Sequence, residues 1–301
     1  MKNRYDFVCE EVQRAKESIC SNPSNGIQFY YRGHADIDWE LVPTIVRSKG
    51  KATECSEIRR AMNDGKWLLK DSMFVNIARM QHYGYETRFL DYTTNLDVAL
   101  YFACSDKKCC DKDGCISICA YTNDRHAETM DTIAISELAL MTKEKSLMDF
   151  ATSIIANHGK AIEKEKRLYG NGWNSLDVPT KMAWDIAVWL NYGFMVTPTE
   201  NDMQELKKNN PRILRQEGAF FVFGNQTNPP KTPTFSSQLD TVTICPNIKE
   251  KSTLIQPGIF RNPAINVEIQ NEWKPQIIEV LTKKGITREY LFPDEAQGGD
   301  D

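Results

Sequence analysis

The chain lacks the short motifs that mark the commonest nucleotide-binding and hydrolytic sites. It has no G-x-x-x-x-G-K-[ST] phosphate loop, no H-E-x-x-H pair, no G-x-S-x-G turn and no G-x-G-x-x-G after a strand. Its four histidines, at positions 34, 82, 126 and 158, have no metal-ligand spacing. These absences argue against P-loop NTPases, zinc peptidases, α/β-hydrolases and dinucleotide-binding dehydrogenases, and no metal is expected.

Long apolar runs and a strong net charge are also missing. No stretch reaches the roughly 18 apolar residues that a membrane span requires, and the first 20 residues carry charges throughout, unlike a signal peptide. The net charge of -4 gives no argument for a nucleic-acid or membrane partner. We therefore expect a cytoplasmic protein that does not use a membrane, while the oligomeric state and a protein or nucleic-acid target stay open.

Cysteine is present without the spacing of a metal site. Nine cysteines occur, and five of them cluster at positions 104, 109, 110, 115 and 119. A structural zinc site needs paired C-x-x-C spacing, which this cluster does not offer. We interpret these residues as buried, reduced thiols, with a metal site or a disulfide as the less favoured alternatives.

The size and composition predict one main core of the α+β class. At 301 residues, with 41% hydrophobic and 26% charged residues, the chain resembles an ordinary globular domain. Periodicity predicts a helix over about 4–19, one or two helices between about 53 and 82, a helix capped by Thr94 and a closing helix that ends near Gly285.

Short β-branched and aromatic runs predict the strands. These are IQFYYRG, TRFLDY, GCISICAYT, GFMVTP and GAFFVFG, with TVTICP and NVEIQ as edge strands. The segment of about 131–190 is predicted to be mostly helical and to interrupt the sheet as an insertion, a lid or part of the core. The polar stretch after Phe223 is predicted to be an exposed loop, and residues from Arg288 onward a tail.

Arg32 stands at the end of the first predicted strand, beside Gly33. A guanidinium there can bind a phosphate or carboxylate through two hydrogen bonds, and glycine lets a ligand approach the backbone. The structural alternative is an ion pair with Asp36 or Asp38 that closes a turn.

A second polar group lies where a strand turns into a helix. Asp91, Thr93 and Thr94 follow TRFL there, so their side chains and the free helix N–H groups suit a polar ligand. Thr94 as a helix cap, His82 as a structural histidine and an Arg88–Asp91 ion pair are the simpler readings.

A third group precedes an apolar strand, in PRILRQEGAFFVFG. Glu217 there is a candidate for a catalytic carboxylate that stabilises a developing cation. A solvated glutamate is the alternative.

Five blocks, taken in order, resemble the FRG domain family, which is named for an aromatic-Arg-Gly motif. They are FYYRGHADIDWELVPTIVR, ARMQHYGYETRFLDYTTNLDVALYFAC, DGCISICAY, RILRQEGAFFVFG and LTKKGITREYLFPD. The resemblance implies an N-terminal helix at 1–25, an FRG domain at 26–294 with the helical insertion, and a tail at 295–301. The family is largely bacterial, and some members look like toxins or phage-defence effectors.

The block layout is also similar to that of ADP-ribosyltransferases of the arginine-serine-glutamate class, which implies a mixed β-sheet core around NAD. Carried over, Arg32 with Tyr31 and Gly33 would hold an NAD phosphate or ribose, and Thr93 would replace the serine that orients the nicotinamide ribose. Gln216 or Glu217 would take the glutamate position.

This similarity implies a cofactor-binding cleft that also includes four further residues, namely His82, Arg88, Asp91 and Thr94. The chain departs from the transferase motif, because Gln216 and Glu217 are adjacent rather than separated by one residue and Tyr92 replaces a serine.

Two functional hypotheses follow from the resemblance. The first is a bacterial effector that uses NAD in this cleft, either to modify a macromolecule or to consume NAD. The second is a non-catalytic module that binds a nucleotide or a protein with the same cleft. A nuclease is less favoured, because the chain has no paired-carboxylate metal motif.

Overall fold

A six-stranded antiparallel sheet organises the protein. The structure is a computed structural model, and it describes residues 3–19, 27–47, 53–122, 129–141, 145–158, 186, 190, 193–198, 211–224, 243–244 and 265–293. The strands of the sheet lie in the order β5-β6-β2-β1-β3-β8. They are β1 (Ile27–His34), β2 (Phe89–Thr93), β3 (Gly114–Thr122), β5 (Gly193–Val196), β6 (Gly218–Phe223) and β8 (Ile265–Ile269). A separate pair joins β4 (Lys145–Ser146) to β7 (Thr243–Ile244).

Helices cover the sheet and fill the connections between strands. The described α-helices are α1 (Arg4–Ile19), α2 (Thr44–Arg47), α3 (Glu54–Asn63), α4 (Met73–His82), α5 (Leu96–Cys104), α6 (Met130–Glu137), α7 (Leu147–Asn157), α8 (Pro211–Arg215), α9 (Lys274–Lys283) and α10 (Arg288–Leu291). Short 3₁₀ turns span Lys107–Cys109, Leu138–Leu140 and Asn271–Trp273. The α+β class is therefore confirmed.

The sheet is simpler than predicted. Every strand pairing in the described ranges is antiparallel, whereas a mixed sheet was expected. Each described strand runs opposite to its neighbours in the sheet, so no right-handed crossover between parallel neighbours is needed.

β1 runs through the middle of the sheet because both of its faces are apolar. On one face of the sheet, Tyr30 belongs to a hydrophobic cluster of buried residues. On the other face, Phe29 and Tyr31 pack with α1 and α5. Alternate residues of a strand point to opposite faces, so an aromatic run suits a strand that is covered on both sides.

The described part of the helical insertion belongs to the core. Ala134 and Ile135 of α6 and Ala151 and Ile154 of α7 are buried in one hydrophobic cluster with α4 and β2. These helices are therefore not a lid that can leave the sheet without exposing apolar surface. Most of residues 159–192 lie outside the described residues, as does the predicted loop from 225 onward.

Gly33 is required by packing between β1 and α5. A Cβ at this position would lie 1.9 Å from the carbonyl oxygen of Ala99. The strand and the helix therefore approach more closely than any other residue allows. The structure thus shows a packing role for Gly33, while the predicted access of a ligand to its backbone stays a prediction.

Two sequence-based details are wrong. The side chain that caps α5 belongs to Asn95, which accepts from the backbone N–H groups of Asp97 and Val98, and not to Thr94. The predicted tail begins with a helix, α10, in which Leu291 is fully buried. A short apolar element within a charged stretch gave too little periodicity to be recognised.

Four of the five clustered cysteines are buried as predicted, whereas the prediction is wrong for Cys110. Cys104, Cys109, Cys115 and Cys119 are buried free thiols, while Cys110 is exposed. Burial raises the pKa of Cys104 to about 12 and that of Cys115 to about 11. Such thiols stay protonated near neutral pH and are poor nucleophiles.

Among the described helices, none combines the length and apolarity needed to cross a bilayer.

Candidate functional site

The candidate site is a cleft that opens where β1 and β2 separate. These neighbouring strands share a single registered pair, Tyr31 with Thr93, whereas β1 and β3 pair along their whole lengths. The backbone therefore splays at the middle of the sheet. The cleft has a volume of about 980 Å³, which is near the upper end of the size range of small-molecule sites.

Arg32 lies across the gap between the two strands. Its Nη1 donates to the backbone oxygen of Asp91 at 2.5 Å, and its Nε donates to Nε2 of His34 at 3.1 Å. Neither acceptor is negatively charged. The predicted alternative, an ion pair with Asp36 or Asp38, is not among the ion pairs of the described residues. The guanidinium is therefore oriented without being neutralised.

His34 is held neutral in this position. Burial, together with the nearby Arg32 and Arg47 charges, lowers its pKa from 6.5 to about 4, although a hydrogen bond with the Trp39 backbone acts in the opposite direction. A neutral imidazole has one acceptor nitrogen, which suits the Nε–H of Arg32. His34 thus fixes the direction of the guanidinium at neutral pH.

Asp91 presents an exposed carboxylate from the centre of a strand. The residues on both sides, Leu90 and Tyr92, are 2% and 5% exposed, whereas Asp91 is exposed and lines the cleft. Its Oδ2 accepts from Nε2 of Gln81 at 3.2 Å. Gln81 is itself held by Thr87, whose hydroxyl donates to Oε1 at 2.5 Å.

Thr93 and Gln216 connect β2 to the segment before β6. The Thr93 hydroxyl donates to the backbone oxygen of Gln216 at 2.6 Å. The Gln216 amide donates to the backbone oxygen of Leu291 at 3.2 Å. Both side chains line the cleft, so they shape its wall and retain hydrogen-bonding capacity that a ligand can use.

Glu217 points elsewhere. Its backbone has a φ of 46°, in the left-handed region that follows a helix end. The carboxylate is exposed and accepts from the Asn95 amide at 2.7 Å and from the Thr94 hydroxyl at 3.5 Å. Neither Glu217 nor Thr94 lines the cleft. Their predicted roles are thus not supported by their position.

The structure brings most of the other predicted residues together. Those that line the cleft are Tyr31, Arg32, Gly33, His82, Asp91, Thr93 and Gln216. Three chain-distant segments, including β1 and β2, supply them. The structure shows that these residues share one cleft, whereas their roles in binding stay predictions.

Arg88 is separate from this group. It is 3% exposed and forms an ion pair with Glu54, to which its Nε donates at 2.9 and 3.0 Å. Its Nη1 also donates to the backbone oxygen of Phe223. Its partner is therefore Glu54 and not Asp91, and it joins α3, β2 and β6 rather than lining the cleft.

Sequence reasoning missed the outer wall of the cleft. Arg212 and Arg288 lie over the ring of Phe292, with centroid distances of 4.9 and 5.3 Å. Lys107 and Lys108 line another part of the wall. Arg288 and Phe292 were placed in a tail, and only the docking of α10 brings them beside α8.

The cleft is electropositive and rich in aromatic side chains. Its lining includes five cations (Arg32, Lys107, Lys108, Arg212 and Arg288) and two carboxylates (Asp91 and Asp106). Trp39, which is 48% exposed, lines it with Tyr101, Phe102 and Phe292. Fixed cations beside flat apolar surfaces suit an anionic ligand that also carries an aromatic ring.

A buried lysine holds one side of the cleft in place. Nζ of Lys274, which is 3% exposed, donates to the backbone oxygens of Ala35 and Cys109 at 2.7 and 2.9 Å. Ala35 and the residues just before Cys109 form part of the lining.

Within the described ranges, no group of three or more His, Cys, Asp and Glu side chains could hold a metal ion.

Comparison with known proteins gives one match. No curated protein and no solved structure matches the chain. The family model of the FRG domain matches residues 27–112. This range includes Arg32, Asp91 and Thr93 but not Gln216, so the predicted extension of the domain to residue 294 stays a prediction. Residues 27–112 are therefore similar to the FRG domain family, and they include Arg32, Asp91 and Lys107 of the cleft lining.

Proposed function

We propose that the cleft binds NAD or a closely related nucleotide, and that the protein cleaves the nicotinamide–ribose bond of NAD to consume it or to modify a macromolecule. One observation carries the proposal. A guanidinium, a carboxylate, a hydroxyl and an amide from chain-distant segments converge in one electropositive, aromatic-lined cleft. The FRG match supports the family, and the role as a toxin or phage-defence effector rests on the resemblance to FRG relatives.

Charge and size both favour a dinucleotide. Arg32 on the floor and Arg212 with Arg288 on the outer wall are suited to phosphates, because planar guanidinium groups can donate two hydrogen bonds to one phosphate. A cleft of about 980 Å³ is large enough for a ligand of this size, and Trp39 offers a surface for stacking a base.

The chemistry needs groups that favour positive charge on the ribose. Loss of nicotinamide creates an oxocarbenium-like transition state, which a nearby carboxylate stabilises electrostatically. Asp91 and Asp106 are the carboxylates of the described lining. The cations bind the phosphates away from the reacting carbon.

A second candidate is a non-catalytic module that recognises the nucleotide. Two observations favour it: the Glu217 carboxylate lies outside the cleft and bonds to Asn95, and the Thr93 hydroxyl is already donated to a backbone oxygen. Binding without turnover would be the outcome.

The test measures binding and turnover separately on the full chain. Thermal unfolding with and without NAD reports binding, since a ligand at about 100 times its Kd stabilises the native state by about 2.7 kcal/mol. Nicotinamide release, followed by chromatography, reports turnover. We expect NAD to raise the Tm of the wild type and of Arg14→Ala but not that of Arg32→Ala.

Arg14→Ala is the matched control, because Arg14 is exposed and pairs with Glu11 on α1. Stabilisation of wild type by NAD with no nicotinamide release would select the binding module. An unchanged Tm in wild type over millimolar NAD, or equal stabilisation of Arg32→Ala, would contradict the proposal.

A further inference from the structure

Asp91 occupies a position that the fold alone does not explain. β2 lies inside the sheet between β6 and β1, and its other residues are buried. Phe89, on the same face of the strand, is fully buried. An interior strand normally carries an apolar side chain at such a site. A charged residue that breaks the local pattern points to function.

The groups around Asp91 orient its carboxylate, which takes part in none of the ion pairs of the described residues. Gln81 of α4 donates to Oδ2, and Thr87 and the backbone oxygen of Phe89 hold Gln81 in turn. Arg32 of β1 bonds to the backbone oxygen of Asp91, not to its carboxylate. Arg47 of α2 is near enough for the Asp91 charge to raise its pKa, against the larger effect of burial, which lowers it.

Glu217 differs from Asp91 in its position and in its hydrogen-bond partner. It stands outside the cleft lining, and its carboxylate bonds to the Asn95 side chain at the start of α5. Moving it into the cleft would require that bond to break and the left-handed turn before β6 to change.

We propose that Asp91, and not Glu217, is the catalytic carboxylate of the cleft, which contacts the nicotinamide ribose, with Gln81 as its positioning residue. This inference rests on the proposed function. Asp91 accepts a hydrogen bond from a ribose hydroxyl and faces the carbon that becomes positively charged.

The reaction balances without a further reagent. The bond between C1′ of the ribose and N1 of nicotinamide breaks, and both electrons leave with the nitrogen, which gives neutral nicotinamide. The oxygen of water, or of a nucleophile on a target, forms the new bond to C1′ and loses one proton to solvent. The products with water are nicotinamide, ADP-ribose and a proton.

The decisive experiment compares Asp91→Asn with Glu217→Gln in the full chain. Each substitution keeps the side-chain shape and removes the negative charge. We expect Asp91→Asn to lower the kcat of nicotinamide release by about 10²-fold or more, while the Kd for NAD changes by less than about threefold, because the lost interaction forms in the transition state. We expect Glu217→Gln to retain release.

Four further variants keep the result interpretable. Asp91→Ser is a second way to remove the carboxylate. Because the Asp91 side chain is exposed, we expect this variant to leave the Tm unchanged. Asp6→Asn, on the exposed face of α1, is the matched control. Gln81→Leu is expected to lower kcat less than Asp91→Asn, with partial rescue by Gln81→Asn.

Each outcome is decisive. Release that survives both Asp91 substitutions, or that is lost in Glu217→Gln, overturns the role of Asp91 and leaves the proposed function standing. Binding of NAD by wild type without release removes the catalytic role and leaves recognition. Absence of both binding and release in wild type defeats the proposed function itself.

Discussion

Two arginines, Arg32 in β1 and Arg88 just before β2, have opposite roles. Arg88, just before β2, is buried, and its Nε donates to both carboxylate oxygens of the buried Glu54. Arg32 in β1 is half-buried and bonds to a neutral imidazole and a backbone oxygen. A guanidinium whose charge is matched inside the fold stabilises the fold, whereas one that is oriented but unmatched is available to an anionic ligand.

The partners decide this difference, because the residue type is the same. Glu54 starts α3 and reaches the backbone N–H of Arg88 as well as its side chain. His34 lies two residues from Arg32 on the same strand and is kept neutral by burial. Substitutions at these positions therefore test the comparison directly.

The largest effect is expected at the buried pair. Arg88→Met leaves the Glu54 carboxylate buried without its partner, and we expect the free energy of unfolding to fall by about 3–5 kcal/mol. Urea unfolding followed by circular dichroism measures the change. Arg14→Met is the control, since the side chains of Arg14 and its partner Glu11 are 69% and 33% exposed and this ion pair should contribute less than about 1 kcal/mol. Equal effects of the two variants would contradict the structural role of Arg88.

The next effect concerns the pH dependence that His34 confers. Its pKa in the folded protein is about 4, below the value of 6.5 for an unperturbed histidine. The unfolded chain therefore takes up a proton first as the pH falls, and stability is lost between about pH 6.5 and 4. The expected loss approaches about 3 kcal/mol, and little further loss from this group follows below pH 4.

Urea unfolding at several pH values measures this contribution. His34→Gln keeps an acceptor near Arg32 but does not titrate, so the difference between wild type and variant should shrink as the pH falls through this window. Parallel curves for the two proteins would show that His34 is not held neutral.

The smallest effect on stability is expected for Arg32. Arg32→Ala removes two hydrogen bonds of a half-exposed side chain, and we expect the free energy of unfolding to fall by about 1 kcal/mol. The same variant should nevertheless lose NAD-induced stabilisation. A loss as large as that of Arg88→Met would place Arg32 among the structural arginines and remove the contrast between the two.

Much of the fold was predictable because it depends on local pattern. Alternation and aromatic content predicted β1, β2, β3, β5, β6 and β8, and helical periodicity predicted α1, α5 and α9 within a few residues. The α5 cap was assigned one residue early, since Thr94 and Asn95 are both good caps and only backbone geometry separates them.

The candidate site was predictable only in part. Arg32, Asp91 and Thr93 stand out because they are polar residues near the ends of predicted strands, where binding residues are often found, although the structure places Asp91 in the middle of β2. Arg88 looked equivalent in sequence and is not, because its partner Glu54 lies 34 positions away. Arg212, Arg288 and Phe292 were missed as a group, since their contact depends on the docking of the short helix α10 against α8.

The sequence by itself determined the α+β class, the central aromatic strand and the polar residues that interrupt the apolar pattern, because these follow from side-chain periodicity along a few neighbouring residues. The tertiary structure decided which charges are neutralised and which face the cleft. Burial and partner distance set the state of an ionisable group, and both arise from contacts between distant parts of the chain. Asp91 faces the cleft and Glu217 does not for that reason.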